Sequence, residues 1–336
     1  MTVATLSNKA MRVAIIIVNY KTAELTLSCL RSIEPELSSS VTLHVIVVEG
    51  CSGEGARLRK SVQANGWDVW ATVIDADRNG GFSYGNNIGI REAMSWSVPP
   101  DFFLLLNPDT EVRPLSIQAL VDFLDRRADV GIAGSSFENP DGSEWPIAFR
   151  FPSVLSELER GLRLGFFSRI VRDRVVARDM GGREQQTDWV AGASMMIRRE
   201  VLEGIGLLDE EYFLYYEEVD FCLRAKRADW PCWYVPSSRV MHISGQSTGV
   251  SSRDIKTKPM PSYWFESRSR YFVKNYGIWN ARLADLAYGT GLAIHKARSW
   301  LSRKPDLDPP HLLRDFWLSS ALWRGAELAS KGSSKH

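Results

Sequence analysis

Short apolar runs without a polar alternation punctuate the first half of the chain: Val13–Val18, Leu43–Val48, Val69–Ile74, Phe102–Leu106 and Val130–Ala133. A strand covered on both faces reads as such a continuous run, often rich in β-branched residues, whereas a strand with one wet face alternates. Helical periodicity fills the gaps. Ala23, Leu27, Leu30 and Ile33 follow at steps of three and four; further helices are predicted from near Ala56, over Ile90–Trp96 and over Leu115–Arg127. This strand–loop–helix alternation predicts an α/β fold with a mostly parallel, doubly wound sheet and a ligand crevice at the carboxyl ends of its strands.

Polar residues gather where the apolar runs stop. Asn19-Tyr20-Lys21-Thr22 follows the first run and Glu49-Gly50-Cys51-Ser52 the second. Asn79-Gly80-Gly81-Phe82, continuing through Gly85-Asn86-Asn87 to Gly89, is expected to be a loop before its helix. Its amides and the helix N-terminus suit an anion, although such loops also simply turn the chain. Asn107-Pro108-Asp109-Thr110 ends the fourth run; the proline stops the ladder and presents Asp109. Glu138–Gly142 reads as a hairpin tip.

The second half is less regular. Residues 145–187, with an arginine-rich middle, carry little pattern and are expected to be a variable insertion or mobile loop near the site. Trp189–Ile197 is apolar, and Gly192 and Ala193 permit close approach of backbone or ligand. A short helix is predicted over Glu200–Gly206. From Tyr212 to Arg224 the aromatics Tyr212, Phe213, Tyr215 and Tyr216 lead into Glu217, Glu218 and Asp220. Desolvation and like charge both raise a carboxylate pKa, which suits a general base. A plain helix start explains part of this, with Asp220 and Arg224 spaced for a structural ion pair. Cys232–Val235 and Arg239–His242 predict two short strands, followed by a loop over residues 244–249. Two acids and His242 at the ends of separate strands are the parts of a metal-assisted transfer site.

From Tyr263 the texture becomes helical, with helices predicted over Tyr263–Tyr276, Ala281–Leu301 and Leu313–Leu328 and a proline-marked linker at 305–310. The expected division is a domain over 1–276 and a C-terminal helical extension over 277–336. Tryptophans among basic residues in that extension fit either an anionic membrane surface or packing on the first domain or at a homodimer interface. The chain has 336 residues, 41 basic against 40 acidic, so bulk nucleic-acid binding is not expected. Four cysteines without close spacing, no apolar block at the N-terminus and no apolar run near ~20 residues together suggest a cytoplasmic chain.

Taken in order, Ile17–Lys21, Asn79–Phe82 with Gly85–Asn87, Leu106–Thr110, Trp189–Ala193, Phe213–Asp220 and His242 resemble family 2 glycosyltransferases of the GT-A fold, and most closely their rhamnosyltransferase-like bacterial branch. The resemblance covers roughly residues 12–276. It implies an inverting transfer from a nucleotide-sugar donor, dTDP-rhamnose first and a UDP-hexose or a galactofuranose donor second, to a glycan or lipid-linked saccharide of a cell-surface polysaccharide. Asn19, Tyr20 and Glu49 would face base and ribose; Asn79, Gly81, Phe82, Asn87, Asn107 and Gly192 would complete the donor site. Asp109 and His242 would hold Mg²⁺ or Mn²⁺ at the diphosphate, and Glu218, with Glu217 beside it, would be the base. Such an enzyme would work at the inner face of the plasma membrane. The chain departs from the family at Glu49-Gly50-Cys51-Ser52 where Asp-Asn-x-Ser is common, at Asn107 where many relatives carry an Asp, and at Glu218 where Asp is usual. These departures also admit a silent nucleotide-sugar-binding scaffold.

Overall fold

The computed structural model describes residues 10–38, 40–243 and 258–324. Its first half alternates as the apolar runs predict: β1 (Arg12–Asn19), α1 (Ala23–Ile33), β2 (Thr42–Glu49), α2 (Gly55–Ala64), β3 (Ala71–Asp75), α3 (Gly81–Met94) and β4 (Phe102–Leu106). Then come β5 (Thr110–Val112), α4 (Ser116–Arg126), β6 (Ile132–Glu138), β7 (Glu144–Trp145), β8 (Ile147–Phe149), α5 (Val154–Leu162), α6 (Gly165–Ile170), β9 (Ala177–Asp179) and β10 (Gln185–Thr187). The chain continues through β11 (Ser194–Arg198), α7 (Arg199–Ile205), α8 (Glu217–Arg227), β12 (Cys232–His242), α9 (Ser262–Leu301) and α10 (Leu312–Leu318).

The large sheet runs β10-β12-β6-β11-β4-β1-β2-β3, with β5 paired to β12 and β7 to β6. β1 is parallel to β2 and β4, β2 to β3, and β6 to β12, while β11 lies antiparallel between β4 and β6. β5, β7 and β10 are antiparallel to their neighbours too, so six of the ten strands, β1–β4, β6 and β12, share one direction and the sheet is mostly parallel in that sense, as expected. The strand ends Asn19, Glu49, Asp75, Leu106 and His242 lie along one edge, where an open α/β sheet places its ligands. Apolar side chains of β1, β2 and β4 fill both faces: Ile15, Ile17 and Val45 on one, Ile16, Ile46 and Phe103 on the other.

Several sequence expectations change here. The glycine- and asparagine-rich run is not a loop: α3 begins at Gly81, well before Ile90. Its glycines serve close packing, since a Cβ on Gly85 would sit 2.7 Å from a Val18 methyl and one on Gly89 2.7 Å from an Ile16 methyl. The two strands expected around Cys232 and His242 are one, β12, whose register against β6 shifts between Val235 and Arg239. Pro236 in that interval cannot donate to a ladder, so the strand bulges and continues. Glu138–Gly142 does turn a hairpin, β6 into β7.

The larger correction concerns residues 145–187. They form β8–β9, α5 and α6 rather than an unpatterned loop. α5 starts at a capping box between Ser153 and Ser156 and lies against α9. The two backbones touch: a Cβ on Gly161 would sit 2.5 Å from the Tyr288 carbonyl oxygen, and one on Gly291 2.9 Å from that of Leu158. Across this contact Arg268 of α9, 1% exposed, donates to Glu157 of α5 at 2.7 Å and to Asp285. α9 itself breaks at Gly277 (φ 82°), giving two halves close to the two helices expected there. The predicted helix over Leu313–Leu328 appears as α10 and a helical turn at 321–324; residues 325–336, like the loop expected at 244–249, lie outside the described residues.

Candidate active site

The carboxyl edge of the sheet opens into a cleft of about 290 Å³ between β1, the N-terminus of α3 and the 213–214 backbone. Five of the expected donor residues line it: Tyr20, Asn79, Gly81, Phe82 and Asn107. Gly81 has a left-handed φ of 79°, and a Cβ there would lie 1.9 Å from the Phe213 carbonyl oxygen. That carbonyl accepts the Phe82 amide at 2.8 Å, so the first turn of α3 is tied to the segment preceding α8.

Three other expected donor residues stand behind the cleft wall. The Asn19 amide donates to Glu54 at 2.9 Å and accepts from Thr22 and Thr26, which fixes the turn after β1. Glu49 is buried and accepts from the Ser52 amide at 2.7 Å and from the Ser52 hydroxyl. Asn87 donates to the Leu208 carbonyl and to Glu210, and accepts from the Leu208 amide. Gly192 sits deeper: a Cβ there would meet the Phe82 ring at 2.9 Å and the Glu218 Cβ at 3.8 Å.

Beyond Asn107, β5 pairs with the end of β12, setting Thr110 opposite His242. This pairing brings the Asp109 Oδ1 to 3.3 Å from His242 Nε2. Asp109 is buried, and that oxygen has no hydrogen-bond partner among the described residues. A buried carboxylate oxygen without a hydrogen bond is costly, so the site favours a positive group there. Asp109 and His242 thus fit a hard divalent cation with two protein ligands. Among the described residues no group of three or more His, Cys, Asp and Glu converges. Cys29 lies beneath, with its Sγ 3.5 Å from the Thr110 hydroxyl; burial pushes its thiol up to about 12.

On the far side of Gly192 lies a second cavity of about 360 Å³, lined by Glu218, Tyr215, Trp189, Trp264 and residues of the 149–177 segment. Trp189 and Phe149 stack in its wall at 4.1 Å. Glu217 and Glu218 open α8, and the backbone is turned into it by Tyr215 and Tyr216, both left-handed at φ 71° and 67°. Each non-glycine residue so placed costs roughly 1–2 kcal/mol, and such strain collects at functional sites. Burial and the neighbouring Glu218 charge raise Glu217 well above the carboxylate range. Burial raises Glu218 to about 7, against the pull of the amides of Glu218, Gly192 and Val219. One oxygen of each acid lacks a hydrogen-bond partner among the described residues. Asp220 plays the structural part expected of it: it accepts from Arg224 at 3.0 Å, from Lys274 and from Asn275.

Some of the lining is absent from the sequence reading. Arg78 borders the first cleft with its guanidinium over the Tyr84 ring at 4.1 Å, a cation just before the Gly-Gly pair that spacing alone does not single out. Tyr263 and Trp264, from the first turn of α9, reach the first and second cavities respectively. Nothing local marks them; only the return of α9 to the sheet edge does.

Residues 10–256 match a family model described as "Glycosyltransferase like family 2". The N-acetylglucosaminyl-diphospho-decaprenol L-rhamnosyltransferase of Mycobacterium tuberculosis (strain H37Rv) is 33% identical over 150 residues, 44% of this chain and 49% of that one. The low-salt glycan biosynthesis hexosyltransferase Agl10 of Haloferax volcanii is 31% identical over 217 residues, 64% and 61% of the two chains. The rhamnosyltransferase WbbL of Escherichia coli (strain K12) is 25% identical over 167 residues, 49% and 61%. The matches therefore span about half to three fifths of these relatives' length. Among solved structures, a mannosyltransferase of Pyrobaculum calidifontis in complex with GDP-Man and Mn²⁺ superposes with TM-score 0.54 at 14% identity, over 96% of this chain and 84% of that one. GalNAc-T7 with UDP, GalNAc and Mn²⁺ gives TM-score 0.54 at 14% identity, over 88% and 59%. At such identity the likeness concerns the fold, which is GT-A.

Proposed function

The chain belongs to the glycosyltransferase-like family 2, and from that premise we propose that it is an inverting, metal-dependent transferase. It moves a sugar, L-rhamnose from a dTDP donor, to a hydroxyl of a glycan or lipid-linked saccharide in polysaccharide synthesis. The observation that carries this reading is the pairing of two kinds of acid around one partition. Asp109, buried with an oxygen that lacks a hydrogen bond and lies 3.3 Å from His242, is next to the cleft-lining Asn107 and Pro108, while Glu218, raised to about 7, faces the cavity on the other side of Gly192. The donor occupies the first cleft, with Arg78 and the α3 N-terminus near its phosphates. The acceptor occupies the second, where stacked aromatics suit a sugar ring and Glu218 reaches its hydroxyl.

In one displacement the acceptor oxygen bonds to the anomeric carbon, Glu218 takes the hydroxyl proton, and the bond to the diphosphate breaks with inversion. A base near neutrality is matched to that transfer. Asp109 and His242 would hold Mg²⁺ or Mn²⁺, which when bound would offset the charge of a departing diphosphate. The rhamnosyl donor is favoured by the names of two relatives, and the cation by the Mn²⁺ in both superposed structures.

The test is turnover of dTDP-rhamnose and a set of UDP-hexoses with Mn²⁺ or EDTA, for the parent and Glu218→Gln. We expect loss of activity in EDTA and a fall of about 10²–10⁴-fold in the variant, as for removal of a general base. Turnover indifferent to both metal and Glu218 would sink the mechanism, and tight donor binding without turnover in the parent would point to a silent binder instead.

A further inference from the structure

Past Gly277, α9 is apolar on two sides. Ala281, Ala284, Tyr288 and Leu292 are buried among the neighbouring helices. The opposite side is exposed at 279, 283, 286, 290, 294, 297 and 301, a single line of three- and four-residue steps. It is held by Trp279, Leu283, Leu286, Ile294 and Leu301, with Trp300 beside the last; only a threonine and an alanine interrupt it. Trp279 and Trp300 are 73% and 78% exposed. At 1.5 Å per residue the line is about 33 Å long. Single exposed apolar residues are ordinary on a protein surface, but a contiguous stripe of this length marks a contact.

Charge says what kind of contact. Between 277 and 304 the acid is Asp285, buried and bonded to Arg268 and Ser320, whereas Arg282, Lys296, Arg298, Arg303 and Lys304 are all basic. Lys296 is paired with Asp306 and Asp308, and Arg282 lies over the Trp279 ring at 4.9 Å. From Gly277 to the end of the helix there is thus no exposed carboxylate, Glu266 lying on the half before the break, and cations stand toward both ends of the stripe. In a two-fold pair of chains the same cations would meet each other, which counts against self-association. No helix among the described residues is long and apolar enough to cross a membrane.

We propose that the outer face of α9 beyond Gly277 docks flat on an anionic lipid surface. Trp279 and Trp300 enter the headgroup layer at either end, and Arg282, Arg303 and Lys304 meet the lipid phosphates. The docking rests on the stripe and its charge. Its purpose rests on the proposed reaction: the first turn of the same helix lines both cavities, so docking brings them toward a saccharide carried on lipid.

The experiment is flotation of the full chain with phosphatidylcholine vesicles, with and without phosphatidylglycerol, in the absence of donor and acceptor. We expect binding to the anionic vesicles that weakens several-fold at about 0.5 M salt, where charges are screened within a few ångströms. Trp279→Ser combined with Trp300→Ser should lower the partition coefficient about tenfold or more with an unchanged circular dichroism spectrum, because both side chains are mostly in water. Arg303→Glu with Lys304→Glu should lower binding to the anionic vesicles alone. A chain that stays in the soluble fraction overturns the proposal. So does binding indifferent to the tryptophan pair, or a stable dimer that the tryptophan substitutions dissociate. Failure here leaves the transferase reading standing, and loss of turnover with intact flotation leaves the docking face standing.

Discussion

The sheet half of the molecule and the helical flank of α5 and α9 are held by different physics. In the sheet, β1, β2 and β4 are covered on both faces by apolar side chains, and α3 is drawn close by glycines against Val18 and Ile16. In the flank, helix backbones meet at Gly161 and Gly291, and a buried arginine bridges acids from different segments, Glu157 and Asp285. Non-directional burial tolerates exchange of similar apolar residues. A buried ion network tolerates loss of a member poorly, because a stranded charge keeps its desolvation penalty.

The largest expected effect follows from that difference. Arg268→Met leaves buried Asp285 without a cation and Glu157 with Arg160 alone, and should lower stability by about 3–5 kcal/mol, read as a fall in the urea midpoint. Adding Asp285→Asn should restore part of the loss, because the stranded charge is then gone. A single variant as stable as the parent would show that the flank is held by packing alone. In the sheet half the comparable injury is steric. Gly85→Ala sets a methyl 2.7 Å from Val18 and should cost about 1–3 kcal/mol, as overpacking does. If Gly85→Ala proved harmless while Gly165→Ala, which meets open space, did not, the close-packing account of α3 would fail.

A smaller effect, opposite in sign, belongs to the acid pair between the two regions. Burial keeps Glu218 protonated in the folded chain to about pH 7, against 4.5 as its ordinary value. Between those values the folded chain holds a proton that the unfolded chain has released, so stability falls as pH rises through the window and levels off above it. Glu217, raised well above the ordinary range, adds a descent of the same sign. Glu218→Gln removes one acid from the balance. Urea melts from pH 4 to 8 should show a shallower descent for the variant, which gains stability relative to the parent above pH 7 while losing turnover. A variant that loses both would mean that Glu218 is a structural acid.

The same contrast governs what the sequence discloses. Val13–Val18 and Phe102–Leu106 announce themselves because a strand buried on both faces needs an unbroken apolar run. Asp109, Glu217 and Glu218 are legible because carboxylates beside apolar or strand-ending residues are out of place in a plain core. α3 was less legible: glycine and asparagine favour turns, and only the nearness of β1 favours glycine in a helix there. α5 was not legible at all as a partner of α9, since nothing near Glu157 in the chain refers to Arg268, 111 residues away. Arg78 and Tyr263 at the cleft escaped for the same reason.

The smallest prediction isolates burial from distance. Arg59 and Asp75 pair at 2.8 Å at the end of β3, close to the 2.7 Å of Arg268 and Glu157. Their side chains are 48% and 52% exposed, against 1% and 1%. Water already solvates the first pair, so forming it gains little Coulomb energy and orders two mobile side chains. Arg59→Ala should therefore change stability by about 0–1 kcal/mol, and raising the salt concentration should erase even that. Equal losses from Arg59→Ala and Arg268→Met in urea melts would mean that contact distance sets the strength of these pairs, and the division between the two regions would dissolve.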